Sequence, residues 1–286
     1  MNRILMTKKL EDLPQDIYNL LEKDENHEIN EDNIAALLSN IELAITRQLS
    51  DKNKERTTLR FSALGMPDRK LWYRHNNPED AEKFKGQTLL KFLYGHIIEE
   101  LVVFLAKESG HTVTDEQAEV NVDGVLGHTD GKVDGVVVDV KSASPYGFKK
   151  FKENAITEND PFGYVDQLAG YANELTPDEG AAWIAFDKVS GEICISTLSS
   201  SIVSDHKPQP RIEHLRKVLE EPTPPARCYS PVPDGKSGNM KLDTGCSYCE
   251  FREKCWPDLR TFIYSTGPRY LTHVAKTPKT LEVTSE

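Results

Sequence analysis

The stretch Gly127–Ser144, GHTDGKVDGVVVDVKSAS, limits what this chain can fold into more than any other. Val136, Val137, Val138, Asp139 and Val140 form a run that is apolar but for one acid, the composition of a strand buried on both faces. A carboxylate in such a strand must pair, neutralise or bind a cation, because burying it unpaired is too costly. Lys141, two residues on, points to the same face, since side chains alternate along a strand. An acid and an amine therefore look into one site from inside a sheet, and Asp130 closes the extended run before them.

Strand-like patterning covers residues 112–143, with turns at Asp123-Gly124 and Asp134-Gly135. Asp134 reads as a pure turn residue. Ahead of these strands, a helix over roughly residues 86–109 has enough continuous apolar content to predict a buried central helix. Residues 8–50 read as helical, with one apolar stripe at Ile17, Leu20 and Leu21 and another at Ile34, Leu37, Leu38, Ile41 and Ile45. Ser62 is a candidate N-cap before a basic aromatic cluster of Arg69, Lys70, Trp72, Tyr73 and Arg74. Beyond Lys141 come a loop or short helix with Lys149, Lys150 and Lys152, a helix near residues 164–174, and two strands over residues 181–197 turning at Ser190-Gly191. A helix near residues 211–220 ends at Pro222, Pro224 and Pro225.

The order helix, sheet, helix, sheet predicts an α/β fold, a central mixed β-sheet flanked by helices. With 286 residues, 38% of them hydrophobic, the chain can bury a full core, and one elaborated domain is expected. Its parts are an N-terminal helical elaboration (1–60), a core (61–221), a cysteine-bearing strap packed on the core (222–265) and a tail (266–286), disordered after Thr280.

The net charge of −11 argues against a broad basic coat for nucleic acid, which works by neutralising phosphates, and leaves room for a local basic groove. No apolar run reaches about 18 residues, and the N-terminus turns acidic before a signal region could form. A soluble, cytoplasmic protein is expected (host cytoplasm if phage-encoded), with no membrane partner. Three of the five cysteines crowd into CSYCEFREKC, which without a secretion signal reads as metal binding rather than disulfides. Cys194, between Ile193 and Ile195 in a strand, reads as unliganded.

His96 on the long helix, Asp130 and Asp139 on adjacent strands, and Lys141 form a consistent set. Oxygen ligands with one imidazole suit Mg²⁺ or Mn²⁺, and such an ion with a nearby amine is a chemistry for cutting phosphodiesters. Glu99 and Glu100, three and four residues beyond His96, could each face the same site. Gln167 and Tyr171 share one helix face as handles for the lysine and a phosphate. Plainer readings exist: a core histidine, a surface ion pair at Asp139 and Lys141, a solvated loop at Lys149, Lys150 and Lys152. Arg69, Lys70, Trp72 and Tyr73 fit a stacking surface for a DNA strand end or a core aromatic pair with exposed charges equally well.

Taken together, Gly95-His96, Gly127-x-x-Asp130, Asp139-x-Lys141 and Gln167-x-x-x-Tyr171 resemble the RecB-type branch of the PD-(D/E)XK nuclease superfamily, in particular the short exonucleases of phages and of CRISPR adaptation. The resemblance spans roughly residues 62–257. It implies a restriction-endonuclease-like core in which His96, Asp130, Asp139 and the Val140 carbonyl hold the divalent ion and Lys141 serves the attacking water, with Gln167 and Tyr171 as the auxiliary motif. Cys246, Cys249 and Cys255 match the C-terminal part of the iron-sulfur clamp of related nucleases. The family's distant cysteine would fall near Met66, where none stands, and Cys228 is the natural substitute. A [4Fe-4S] cluster and structural Zn²⁺ fit the four cysteines equally. The implied activity is a metal-dependent exonuclease acting on DNA with a free end, in recombination, repair or degradation. Alternatives are a DNA-end binding or processing subunit of a larger complex and a restriction-like endonuclease. A recombination or single-strand-binding protein is a compatible partner, and the oligomeric state is open.

Overall fold

The computed structural model describes residues 8–50 and 59–283. In chain order its elements are α1 (Leu13–Leu21), α2 (Glu31–Ser50), α3 (Asp68–Asn76) and α4 (Gly86–Glu108), then β1 (Val113–Thr114), β2 (Glu119–Val122), β3 (Val125–His128), β4 (Gly131–Val133) and β5 (Val136–Ala143). Next come α5 (Pro145–Lys152), α6 (Tyr164–Leu175), β6 (Ala181–Asp187), β7 (Ile193–Leu198), α7 (Ser200–Asp205) and α8 (Pro208–Glu220). The chain closes with β8 (Val232–Pro233), β9 (Met240–Lys241), α9 (Thr244–Ser247), α10 (Arg252–Cys255), β10 (Arg260–Tyr264), β11 (Gly267–His273) and β12 (Leu281–Val283).

Two compact units result. The first contains α1, α2, Leu59–Gly65 and Lys85–Ile212, and its sheet has the order β1-β4-β5-β6-β7. β5 runs antiparallel to β4 and parallel to β6, with Asp139 opposite Trp183 and Lys141 opposite Ala185. A parallel neighbour demands a crossover, and α5 and α6 supply it. This is the mixed sheet the patterning predicts. The aspartate-glycine pairs expected as turns are both left-handed, φ 51° and 79° at Asp123-Gly124 and 51° and 87° at Asp134-Gly135, as tight hairpins require.

Val138 and Val140 of β5 pack with Leu13 and Ile17 of α1 and Ile98, Val102 and Ala106 of α4 in the core. The odd-numbered side chains of β5 face the other way, toward α6. Helix α4 has the expected bounds but not the expected burial: only its C-terminal half reaches the core, and Leu90 and Phe92 remain 66% and 45% exposed. In α1, Leu13 and Ile17 are buried while Leu21 is exposed, so the stripe is shifted by one turn from the expected one. Helix α2 packs on α4 yet buries no residue fully, and its stripe through Leu38 and Ile45 is half covered. Asp134 does more than turn the chain: it accepts hydrogen bonds from His111 Nδ1 at 2.6 Å and the Thr112 N–H at 3.0 Å. Among the described residues no helix is long and apolar enough to cross a membrane.

Ser62 lies inside a short 3₁₀ turn, Phe61–Ala63, and caps nothing; Pro67 stands at the N-cap of α3. That turn brings Gly65 against Gly163, so close that a Cβ on Gly163 would lie 2.3 Å from the Gly65 carbonyl carbon. Gly163 also sits at φ +77°, where an L side chain is strained. Gly163→Ala is therefore expected to destabilise the chain by about 3 kcal/mol, from overpacking plus left-handed strain, read as a lower denaturant midpoint.

In the second unit, Met66–Phe84 joins the chain from Glu213 onward, although patterning assigned residues 66–84 to the core. Its sheet has the order β12-β10-β11-β9-β8. Residues 266–286 were expected to be a tail, disordered past Thr280. Gly267–His273 and Leu281–Val283 instead form β11 and β12, with Thr261 to Ile263 of β10 pairing with Leu281 to Val283, and residues 284–286 lie outside the described residues. Trp72, Tyr73 and Phe251 form the local core, so the core reading of that aromatic pair holds and a DNA-stacking surface there does not. The charges are engaged too: Lys70 and Arg74 pair with buried Glu250.

Candidate active site

β5 carries Asp139 into the interior, 3% exposed. Its Oδ2 lies 2.6 Å from Lys141 Nζ, yet it accepts a hydrogen bond from no described residue. Burial pushes this carboxyl up, with the Lys141 charge opposing. Asp130 is held well above the usual carboxylate range, first by burial and then by the neighbouring charges of Glu99 and Asp139. Burial works against the charge on Lys141, but Asp139 and Asp130 outweigh it and hold the amine firmly protonated. Asp130 and Asp139 both act on the Lys141 ammonium, and the repulsion that Asp139 and Glu99 exert on Asp130 is one that a bound cation would relieve.

Asp130 stands in the link between β3 and β4 rather than on a strand. The β4–β5 ladder stops at Gly131 opposite Val138, which leaves the next inward amide of β5 without a backbone partner, and Asp130 Oδ2 accepts that Val140 N–H at 2.7 Å. In an extended residue the C=O points to the same side as the N–H, so the Val140 carbonyl is directed toward Asp130 as well.

Tyr171 on α6 lies within hydrogen-bonding reach of Gln167 and stacks on Phe61, ring centroids 5.2 Å apart and planes 16° apart. Phe61 fills a slot between two glycines: a Cβ on Gly127 would fall 2.4 Å from Phe61 Cβ and 2.9 Å from the Tyr171 hydroxyl, and one on Gly170 2.7 Å from Phe61 Cε1. This explains the glycine of the Gly127-x-x-Asp130 motif. Gly127→Ala is expected to cost about 1–3 kcal/mol by overpacking. A lowered denaturant midpoint of the purified variant would check it.

His96 is not brought to the aspartates. Its side chain is 63% exposed and its Nδ1 lies 3.7 Å from Glu99 Oε2, and the charges it feels are those of Glu99, Glu100 and Arg47. Of the two glutamates held open, Glu99 is the one whose charge bears on the histidine and on both aspartates. Glu100 accepts a hydrogen bond from Asn40 at 2.7 Å instead. Tyr164 went unnoticed in the sequence; Lys141 Nζ stands 4.9 Å from its ring centroid. The signal was present, since Tyr164, Gln167 and Tyr171 recur at i, i+3 and i+7 on one helix face.

In the second unit, Cys228, Cys246, Cys249 and Cys255 line one cavity of about 30 Å³ with Arg69, Lys70 and Tyr73. Arg69 Nε donates to Cys255 Sγ at 3.2 Å. Burial, together with the other three thiols, pushes Cys246 up to about 12, and burial pushes Cys249 up to about 11. Cys194 belongs to β7 in the first unit. Among the described residues no group of three or more His, Cys, Asp or Glu side chains is set at metal-ligating geometry, in either place.

No family model and no curated protein matches the chain. Solved structures align with it at low similarity. SSO0001 aligns at a TM-score of 0.38 and 14% identity, over 78% of this chain and 95% of that one. LHK-Exo in complex with dAMP aligns at 0.33 and 13%, over 67% and 95%. The alkaline exonuclease LHK-Exo from Laribacter hongkongensis aligns at 0.30 and 12%, over 56% and 93%.

Proposed function

We propose that this chain is a divalent-metal-dependent deoxyribonuclease, an exonuclease that hydrolyses phosphodiesters at DNA ends. The observation behind this reading is the pair of acids around Lys141: buried Asp139 with an Oδ2 that accepts no hydrogen bond, and Asp130 aligned on the Val140 amide. The ordered RecB-type motifs support it from the sequence side. Two buried carboxylates sharing one ammonium suit a hard cation. Asp130, Asp139 and the Val140 carbonyl would hold Mg²⁺ or Mn²⁺, with Glu99 completing the set in place of the outward-facing His96. The ion supplies Lewis acidity toward a phosphate oxygen and a more acidic bound water.

The remaining steps belong to the protein. Lys141, kept cationic by Asp139 and Asp130, offsets the charge that grows on the phosphate during in-line attack. Its amine is held between Asp139 and the Tyr164 ring, which limits it to one side of the reacting centre. Gln167 orients the Tyr171 hydroxyl, and the Phe61 stack fixes the ring behind it. The deciding assay uses purified protein with Mg²⁺. Degradation of linear DNA with a covalently closed circle left intact is the expected outcome. Cutting of the circle would replace the reading with an endonuclease. The outward ring of His96 favours a second reading, a DNA-end binding subunit, and linear DNA bound but left uncut would select it.

The four cysteines fit a structural Zn²⁺ or a [4Fe-4S] cluster, because they line one cavity together with Arg69 and Lys70, and either group would hold them as thiolates. Anaerobic purification with metal analysis and an absorbance spectrum separates a brown iron protein from a colourless zinc one. Protein free of both metals overturns the cofactor.

A further inference from the structure

Beside Lys141 the first unit contains a cavity of about 140 Å³ whose lining includes Lys150, Phe151, Asn159, Phe162 and Tyr164. That is some ten times the roughly 10–15 Å³ needed for one water, room enough for a group larger than solvent. One wall is aromatic: Tyr164 lies 5.5 Å from Phe162 and 6.1 Å from Phe151 between centroids. Phe162 is 42% exposed and presents ring surface at the mouth. Lys141, the cation of the candidate active site, belongs to the lining.

The three lysines that follow β5 are not equivalent. Lys149 meets Glu153 at 3.6 Å and Lys152 meets Glu192 at 2.5 Å. Lys150 meets no carboxylate among the described residues; its Nζ lies 3.3 Å from the Asn159 carbonyl and 5.8 Å from the Tyr146 ring centroid. The positive charge left over from that cluster therefore stands at the cavity. Ring surface for stacking, two cations for a phosphate and side-chain or backbone groups of Ser142, Ser144 and Asn159 for polar edges together describe the needs of a nucleotide.

We propose that this cavity holds the terminal nucleotide of a DNA strand, its base stacked on Phe162 and Tyr164 and its phosphate directed to Lys150 and Lys141. The inference rests on the nuclease reading for its choice of substrate, and a free deoxynucleoside 5′-monophosphate is the matching probe. Occupancy of the cavity would set the register of the strand, placing the next phosphodiester at the acids.

The test is equilibrium dialysis of labelled dTMP against the full chain with no divalent metal added, alongside KM for linear DNA. Saturable binding is expected, weakened about tenfold by Phe162→Ala, the equivalent of about 1.4 kcal/mol of lost stacking. Lys150→Gln should weaken it similarly, with KM rising in step, while Lys149→Gln leaves binding unchanged. Absent binding at millimolar dTMP, or equal binding by the two cavity variants and the wild type, overturns the assignment even if the protein cuts DNA. Binding with this pattern in a protein that cuts nothing upholds the cavity and removes the nuclease reading.

Discussion

If the proposed site operates, Asp139→Asn is expected to lower Mg²⁺-dependent cleavage of linear DNA by about 10³-fold or more, since it would remove a ligand of the proposed ion and the counter-charge of Lys141 together. The fold should survive. Asp139 sits 3% exposed with an oxygen that accepts no hydrogen bond, and a neutral isostere escapes much of the cost of burying a charge. A melting temperature unchanged or raised, beside lost activity, is the pattern of a site that stores instability for function. Lys141→Met should be equally inactive but less stable, because it leaves Asp130 and Asp139 facing each other without the ammonium. Circular dichroism melts and a gel assay on linear DNA check both. Either variant keeping a tenth of wild-type cleavage would sink the assignment.

Removing the metal proposed for the cysteine cavity is expected to unfold the second unit. A structural ion on four thiolates contributes on the order of 10 kcal/mol to folding, against a typical total of about 5–15 kcal/mol for a whole domain. The apolar cluster of Trp72, Tyr73 and Phe251 is small beside that loss. Cys249→Ser should act like chelation, and Cys194→Ser, in β7, should not. Far-ultraviolet circular dichroism and limited proteolysis, with and without a chelator, report the change. Identical melts in both conditions would leave the cysteines as ordinary thiols.

What could be read from the sequence was local chemistry on regular elements. Asp139 and Lys141 are legible because period-two alternation in a valine run settles both burial and facing, and β5 delivers them as read. The aspartate-glycine turns are legible because few residues accept a left-handed backbone. The misses concern partners far away in the chain. Helix α4 is apolar throughout, but how much of it is covered depends on elements outside it, so Leu90 and Phe92 were assigned inward. Periodicity puts His96 and Glu99 near one face, and only the tertiary fold shows that Glu99 is in the field of the aspartates. The strand at Leu281–Val283 escaped for the same reason, since its reason to be extended is an edge of β10 offered from elsewhere.

The place of Phe61 between Gly127 and Gly170 makes three positions one unit of inheritance. A methyl group added at either glycine needs volume taken from the ring, and a smaller ring leaves Tyr171 unsupported. Randomising the three together should return functional clones as matched combinations, whereas single changes fail. Homologues that lose the first glycine would be found to have replaced the phenylalanine too.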